Sequence, residues 1–105
     1  MVDVFLTKDA NSDLQEIYSY LKSNDAVNCQ HVMDSIEDAV QSLSSHPSRG
    51  SYPEELLELG IKEFREVYFK PYRIIYKVVS ASVFVLVIAD GRRDFSSLLQ
   101  RRLLG

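Results

Sequence analysis

The stretch that decides the fold is Tyr72-Arg73-Ile74-Ile75-Tyr76-Lys77-Val78-Val79, then Ser80-Ala81-Ser82, then Val83-Phe84-Val85-Leu86-Val87-Ile88-Ala89. β-Branched and aromatic residues fill both runs, and Ser80-Ala81-Ser82 is a tight connection between two strands. Tyr72, Ile74, Tyr76 and Val78 share one side of the first strand; Arg73, Ile75, Lys77 and Val79 share the other. The second run has no polar interruption from Val83 to Ala89. Such a strand belongs in the middle of a sheet, covered at least in part on both faces.

Working outward, Ile61 to Tyr68 reads as a further strand, more exposed because of its charged residues, and Lys70-Pro71 marks the turn after it. Strands 61–68, 72–79 and 83–89 then form an antiparallel meander. Asp90-Gly91 ends the last strand. Arg92-Arg93-Asp94-Phe95 follows, and Ser96 to Leu104 is a short helical or irregular tail.

The first half has a different period. Val2 to Leu6 is a short apolar strand, and Thr7 or Asp9 can cap a helix from about Asp9 to Lys22. Ala10, Leu14, Ile17, Tyr18 and Leu21 recur at helical spacing. Cys29, Val32, Met33, Ile36, Val40 and Leu43 mark a second amphipathic helix, which Pro47 ends. Pro47 to Gly60 is a long connector, pinned to the body by Leu56, Leu57 and Leu59. The expected fold class is therefore α/β of the α+β kind. A helical hairpin packs on one face of a small, largely antiparallel sheet, in the order β-α-α-β-β-β with a short C-terminal tail.

The 105 residues are too few for two ordinary domains, so residues 1–105 read as one. At 46% hydrophobic, with six Tyr and five Phe, the chain is too apolar for a disordered tail. No basic leader precedes a long apolar run, and no run is long enough to span a membrane, so a cytoplasmic protein is expected. The single Cys29 allows no internal disulfide and lies on an apolar helical stripe.

The formal charge of −3 hides an asymmetry. Residues 1–60 carry three basic and eleven acidic side chains, a balance of −8; residues 61–105 carry nine and four, a balance of +5. Two solvated acidic helix faces explain this as well as a basic site does. Arg65, Lys70, Arg73, Arg92 and Arg93 fall at or beside strand ends. An antiparallel meander puts Arg73 and the Arg92-Arg93 pair at the same end of the sheet. Clustered arginines suit a carboxylate surface or a phosphate. His31 and His46 lie far in sequence from that segment, so no proton-transfer group accompanies it. Two histidines and one cysteine at these spacings argue against zinc, and four scattered glycines build no phosphate loop. No metal or cofactor is expected.

Several residues together resemble the RelE/ParE superfamily of bacterial type II toxins, the ParE branch in particular. They are Ala10 with Asp13-Leu14 and Ile17, Pro47 with Arg49-Gly50, Glu55-Leu56 and Gly60, Tyr72-Arg73-Ile74-Ile75-Tyr76, and Val85 to Ile88 followed by Gly91-Arg92-Arg93-Asp94. The resemblance covers nearly the whole chain. It implies a cognate antitoxin that wraps the toxin, and one of two activities. RelE-like members cleave messenger RNA in the ribosomal A site; ParE-like members inhibit DNA gyrase without being nucleases.

On the RelE-like pattern, Arg73 and Arg93 match the phosphate-stabilising arginines. The upstream lysine positions fall near Phe64 and Glu66, and the tail tyrosine position near Leu99. Those departures favour gyrase inhibition and a non-enzymatic protein. A RelE-like ribosome-dependent endoribonuclease using Arg73 and Arg93 is the alternative, with a degenerate, non-toxic antitoxin binder as a third. Arg92, Arg93, Phe95, Leu98 and Leu99 are the candidate target-binding residues; Arg65, Arg73 and Tyr76 are the candidate antitoxin-binding residues. The expected partners are the antitoxin, in a hetero-oligomer, and gyrase, with no membrane and no sequence-specific nucleic acid.

Overall fold

In the computed structural model, which describes residues 1–105, the apolar run from Val83 lies inside a sheet, as its composition demands. The elements are β1 (Asp3–Leu6), α1 (Lys8–Asn24), α2 (Ala26–Gln41), a 3-10 turn (Ser42–Ser44), α3 (Glu54–Leu57) and β2 (Arg65–Phe69). They continue with β3 (Tyr72–Val79), β4 (Ser82–Asp90), α4 (Phe95–Leu99) and a closing π-helical turn (Gln100–Leu104). The sheet order is β1-β4-β3-β2. Strands β2, β3 and β4 form the expected antiparallel meander, and β1 lies parallel to β4 on its other side. The fold is α+β, a helical hairpin on a mixed and mostly antiparallel sheet.

Thr7 is the cap of α1: its hydroxyl accepts the Ala10 N–H at 3.2 Å. Ala10 and Leu21 of α1 are buried, as are Cys29, Ile36 and Val40 of α2. Ala10, Ile36 and Val40 join Val67, Tyr72, Ile74, Tyr76, Val83, Val85 and Ile88 in one core between the hairpin and the sheet. The register between β3 and β4 steps from Ile75↔Val87 to Tyr76↔Val85, leaving Leu86 as an extra residue. Such a bulge switches which side chains face which way. Val83 and Val85 face the helices before it and Ile88 after it, while Val87 and Ala89 face the opposite side. An unbroken apolar run is therefore needed to keep both faces dry across the switch.

That second face has its own core of Leu56, Phe64, Ile75, Val87, Ala89, Phe95, Leu98 and Leu99. Here α3 and the C-terminal tail do the covering. Residues 61–64, expected as strand, belong instead to the connector. Gly60 turns with φ +74°, the Ile61 N–H donates back to the Leu56 carbonyl at 2.9 Å, and Phe64 drops into the second core. Strand pairing starts only at Arg65.

Candidate functional site

Arg73 is the second residue of β3, on the face opposite the hairpin, and two carboxylates hold its guanidinium through four hydrogen bonds. Nε and Nη2 donate to Glu66 at 2.7 and 3.0 Å, while Nη1 and Nη2 donate to Glu55 at 2.7 and 2.8 Å. The Phe95 ring centroid lies 4.0 Å from its Cζ. Gly91 leaves room for the stem, since a Cβ there would stand 2.6 Å from Arg73 Cδ. The side chains are 13% exposed for Arg73, 24% for Glu55 and 2% for Glu66. Burial alone would lower the Arg73 pKa, but the bonds to Glu55 and Glu66 outweigh it and raise the value. One cation held by two anions leaves this cluster net negative. A phosphate would meet repulsion and no free donor pair.

The same contacts make the protein acid-sensitive. The hydrogen bond from Arg73 holds the Glu55 carboxyl below its ordinary 4.5, against the upward push of burial. Stability from this group is therefore complete above the unfolded value and is lost as pH falls through the lower folded one. Thermal melts should change little in this contribution from neutral pH down to that ordinary value and fall below it. Glu55→Gln should flatten the decline; an equally steep acid limb in that variant would refute the assignment.

Tyr76, expected to meet the antitoxin, is completely buried in this structure. Its hydroxyl donates to the Pro47 carbonyl at 2.7 Å and accepts the Gly50 N–H at 3.0 Å. Arg65 sews down the same loop. Its Nη1 donates to the Gly50 carbonyl at 2.8 Å, and its guanidinium sits 4.6 Å from the Tyr52 ring centroid. Main-chain bonds between Ser51 and Glu66, at 3.1 and 2.7 Å, finish the seam. A Cβ at Gly50 would lie 2.6 Å from the Glu66 carbonyl and 2.7 Å from the Tyr76 hydroxyl. Gly50→Ala should therefore cost about 1–3 kcal/mol, read as a lowered urea midpoint at unchanged slope.

The segment after β4 divides its charges. Arg92 pairs with Asp90 at 2.6 Å and is mostly exposed; its hydrogen bond lowers the Asp90 pKa. Asp94 caps α4, accepting the Ser97 N–H at 3.2 Å and the Ser97 hydroxyl at 2.8 Å, which lowers its own pKa. Arg93 is exposed and has no carboxylate partner. Phe95, Leu98 and Leu99, expected to face a target, are instead buried at 3%, 3% and 0% exposure. Their spacing is that of an apolar helical stripe, and here the stripe closes the second core. Arg73 abuts this segment through Gly91 and Phe95, yet its charge and that of Arg92 are spent on different carboxylates.

One constellation carried no local sequence signal. Asp13 of α1 and Arg102 of the tail form a bidentate ion pair at 2.9 and 3.0 Å. The same pair serves the edge of β4: Asp13 accepts the Ile88 N–H at 3.0 Å, and Arg102 donates to the Leu86 carbonyl at 2.8 Å. Strand β1 pairs with β4 only as far as Val85, so two side chains replace the missing strand beyond it. Past them, α1 and the end of β4 enclose a groove of about 280 Å³, with Ile17, Tyr20, Tyr72 and Arg93 in its lining.

No group of three His, Cys, Asp or Glu side chains is placed to hold a metal ion, and no helix is long and apolar enough to cross a membrane. No curated protein sequence matches this chain. Among solved structures, one described as "Chromosomal ParDE TA system from P. aeruginosa" is similar in fold. It has a TM-score of 0.70 at 18% identity, over 86% of this chain and 96% of that one. Residues 4–95 match the family described as "ParE toxin of type II toxin-antitoxin system, parDE". That match runs from β1 to the first residue of α4, through the hairpin, the Arg73 cluster and the whole sheet, and the chain belongs to the ParE toxin family of type II toxin–antitoxin systems.

Proposed function

We propose that this toxin acts by inhibiting DNA gyrase and is held inactive by its cognate antitoxin in a hetero-oligomer. The observation that carries the reading is the state of Arg73. The residue that would have to stabilise a cleaved phosphate is bound by Glu55 and Glu66 and stacked on Phe95. No histidine joins it in the contacts of the cluster. Transition-state charge stabilisation needs donors aimed at the reacting group, and these donors are aimed at carboxylates. A protein-directed inhibitor needs no such machinery. Arg92 and Arg93, exposed on the loop after β4, are the charged groups proposed to face the target.

Purified toxin added to a gyrase supercoiling assay should abolish supercoiling, and Arg73→Lys, which keeps the charge, should inhibit as the parent does. An absence of inhibition at large excess would sink the reading. So would A-site cleavage in toeprints of translating ribosomes that disappears in Arg73→Ala.

A further inference from the structure

Phe5, Phe84 and Val79 belong to neither core. On β1, Val2, Val4 and Leu6 pack on the helix-facing core, so Asp3 and Phe5 between them point to the opposite face. On β4, Phe84 lies between Val83 and Val85, which also face the helices, and it takes the opposite face too. On β3, Tyr76 faces the helices, which turns Lys77 and Val79 away from them. The strand register sets six side chains of this face in two rows across β1, β4 and β3: Asp3, Ser82, Val79, and beside it Phe5, Phe84, Lys77. The Phe5 and Phe84 rings stack with centroids 5.5 Å apart, yet Phe5 is 47% and Val79 45% exposed. The second core covers this face only further along β4, at Val87 and Ala89. Clustered apolar side chains left open to water mark an interaction surface.

We propose that this patch is a two-fold contact between two copies of the toxin. The charges name the occupant. Asp3 and Lys77 stand at diagonally opposite corners of the array, with Phe5 and Val79 at the other two. Asp3 is exposed and has no cation partner. Lys77 leans over the Phe64 ring and meets only Glu63, at 3.8 Å and mostly exposed. Such a pair is weak and leaves the ammonium available to a better anion. A two-fold contact sets one patch against itself, so each residue meets its symmetry counterpart across the axis. With the axis along the Phe5–Val79 diagonal, Asp3 of each copy approaches Lys77 of the other, at both margins. Neighbouring strands stand about 4.8 Å apart and alternate residues of one strand about 6.7 Å, so this superposition misses by only about 4 Å, which a lysine stem spans. The rings, Val79 and the small Ser82 close the middle. A partner surface of one sign leaves a corner unpaired, whereas this chain carries both signs in the matching arrangement. A standard interface uses about 20–30 residues a side. This one is smaller, so the dimer is weak and concentration-dependent.

The proposal goes beyond the gyrase reading and does not depend on it. Sedimentation of the free full-length toxin should give the monomer mass of 12.0 kDa when dilute. The mass should rise toward twice that at about 500 μM, as a dissociation constant on the order of 10–100 μM requires. Asp3→Lys and Lys77→Asp each set like charges at both margins and should weaken association about ten-fold. The two substitutions together restore opposite pairs and should recover the parental association. Carbodiimide coupling of the concentrated toxin should join Asp3 of one copy to Lys77 of the other in a band of dimer mass. A toxin that stays monomeric over the whole range overturns the proposal. A dimer that either charge reversal leaves unchanged overturns it too, as does a double swap that fails to rescue. If Phe5→Ser leaves the mass unchanged but lowers antitoxin affinity or gyrase inhibition, the patch faces that partner instead, and the proposal falls while the gyrase reading stands.

Discussion

Arg73→Ala is expected to lower folding stability by about 3–5 kcal/mol, the range for removing one partner of a buried ion pair. The magnitude follows from what is left behind. Glu66 is 2% exposed at its side chain and loses both of its guanidinium bonds. Glu55, pulled toward the same point, becomes a second unpaired anion beside it. Phe95 packs against the guanidinium from the side of the second core. The variant also removes the stacked guanidinium from the Phe95 ring, loosening α4. Urea unfolding at neutral pH measures the loss. Adding Glu66→Gln to Arg73→Ala should restore part of it, because the buried charge is gone. A loss below about 1 kcal/mol, the level of an exposed pair, would show that the cluster is a surface network of little weight.

The second large effect is at Asp13, where substitution by Ala should cost about 3 kcal/mol. It removes three bonds at once: two from Arg102 and one from the Ile88 N–H. Arg102 sits in the last turn of the chain and can swing to water, which keeps the cost at the low end. The Ile88 N–H cannot move and stays unpaired at the strand edge. Arg102→Ala should cost less, and the double-mutant cycle should return a coupling of about 1–3 kcal/mol. Amide exchange across residues 95–104 should quicken in both variants. Additive single effects would mean that the pair does not hold the tail to the sheet.

The sheet and hairpin were legible because their residues repeat. Tyr72, Ile74 and Tyr76 alternate cleanly, and all three enter the helix-facing core. Ala10, Leu14, Ile17 and Leu21 keep a helical period over three turns. The start of β2 was misplaced because Ile61 and Phe64 are apolar for a different reason: they finish a connector that folds over the second face. Leu56 and the tail leucines cover that face in short pieces far apart in sequence, so no one stretch displays the whole face. The site was half legible. Arg73 stood out, but Glu66 was read only as an absent lysine, when it is the residue that captures the arginine. Ion pairs spanning eighteen and eighty-nine residues of sequence leave no local pattern. They are set by which strand ends meet, and that is decided by the whole fold.

The carboxylates around Arg73 have a kinetic meaning as well as a structural one. Glu54 shares the lining of a shallow hollow there with Glu55, Glu66 and Arg73, so the hollow itself presents more negative than positive charge. A polyanion drifting toward it is slowed by the local field, whereas a basic surface would draw it in. Screening acts on that field in the opposite sense from ordinary nucleic-acid association. Added salt would relieve the repulsion and quicken the encounter at the hollow.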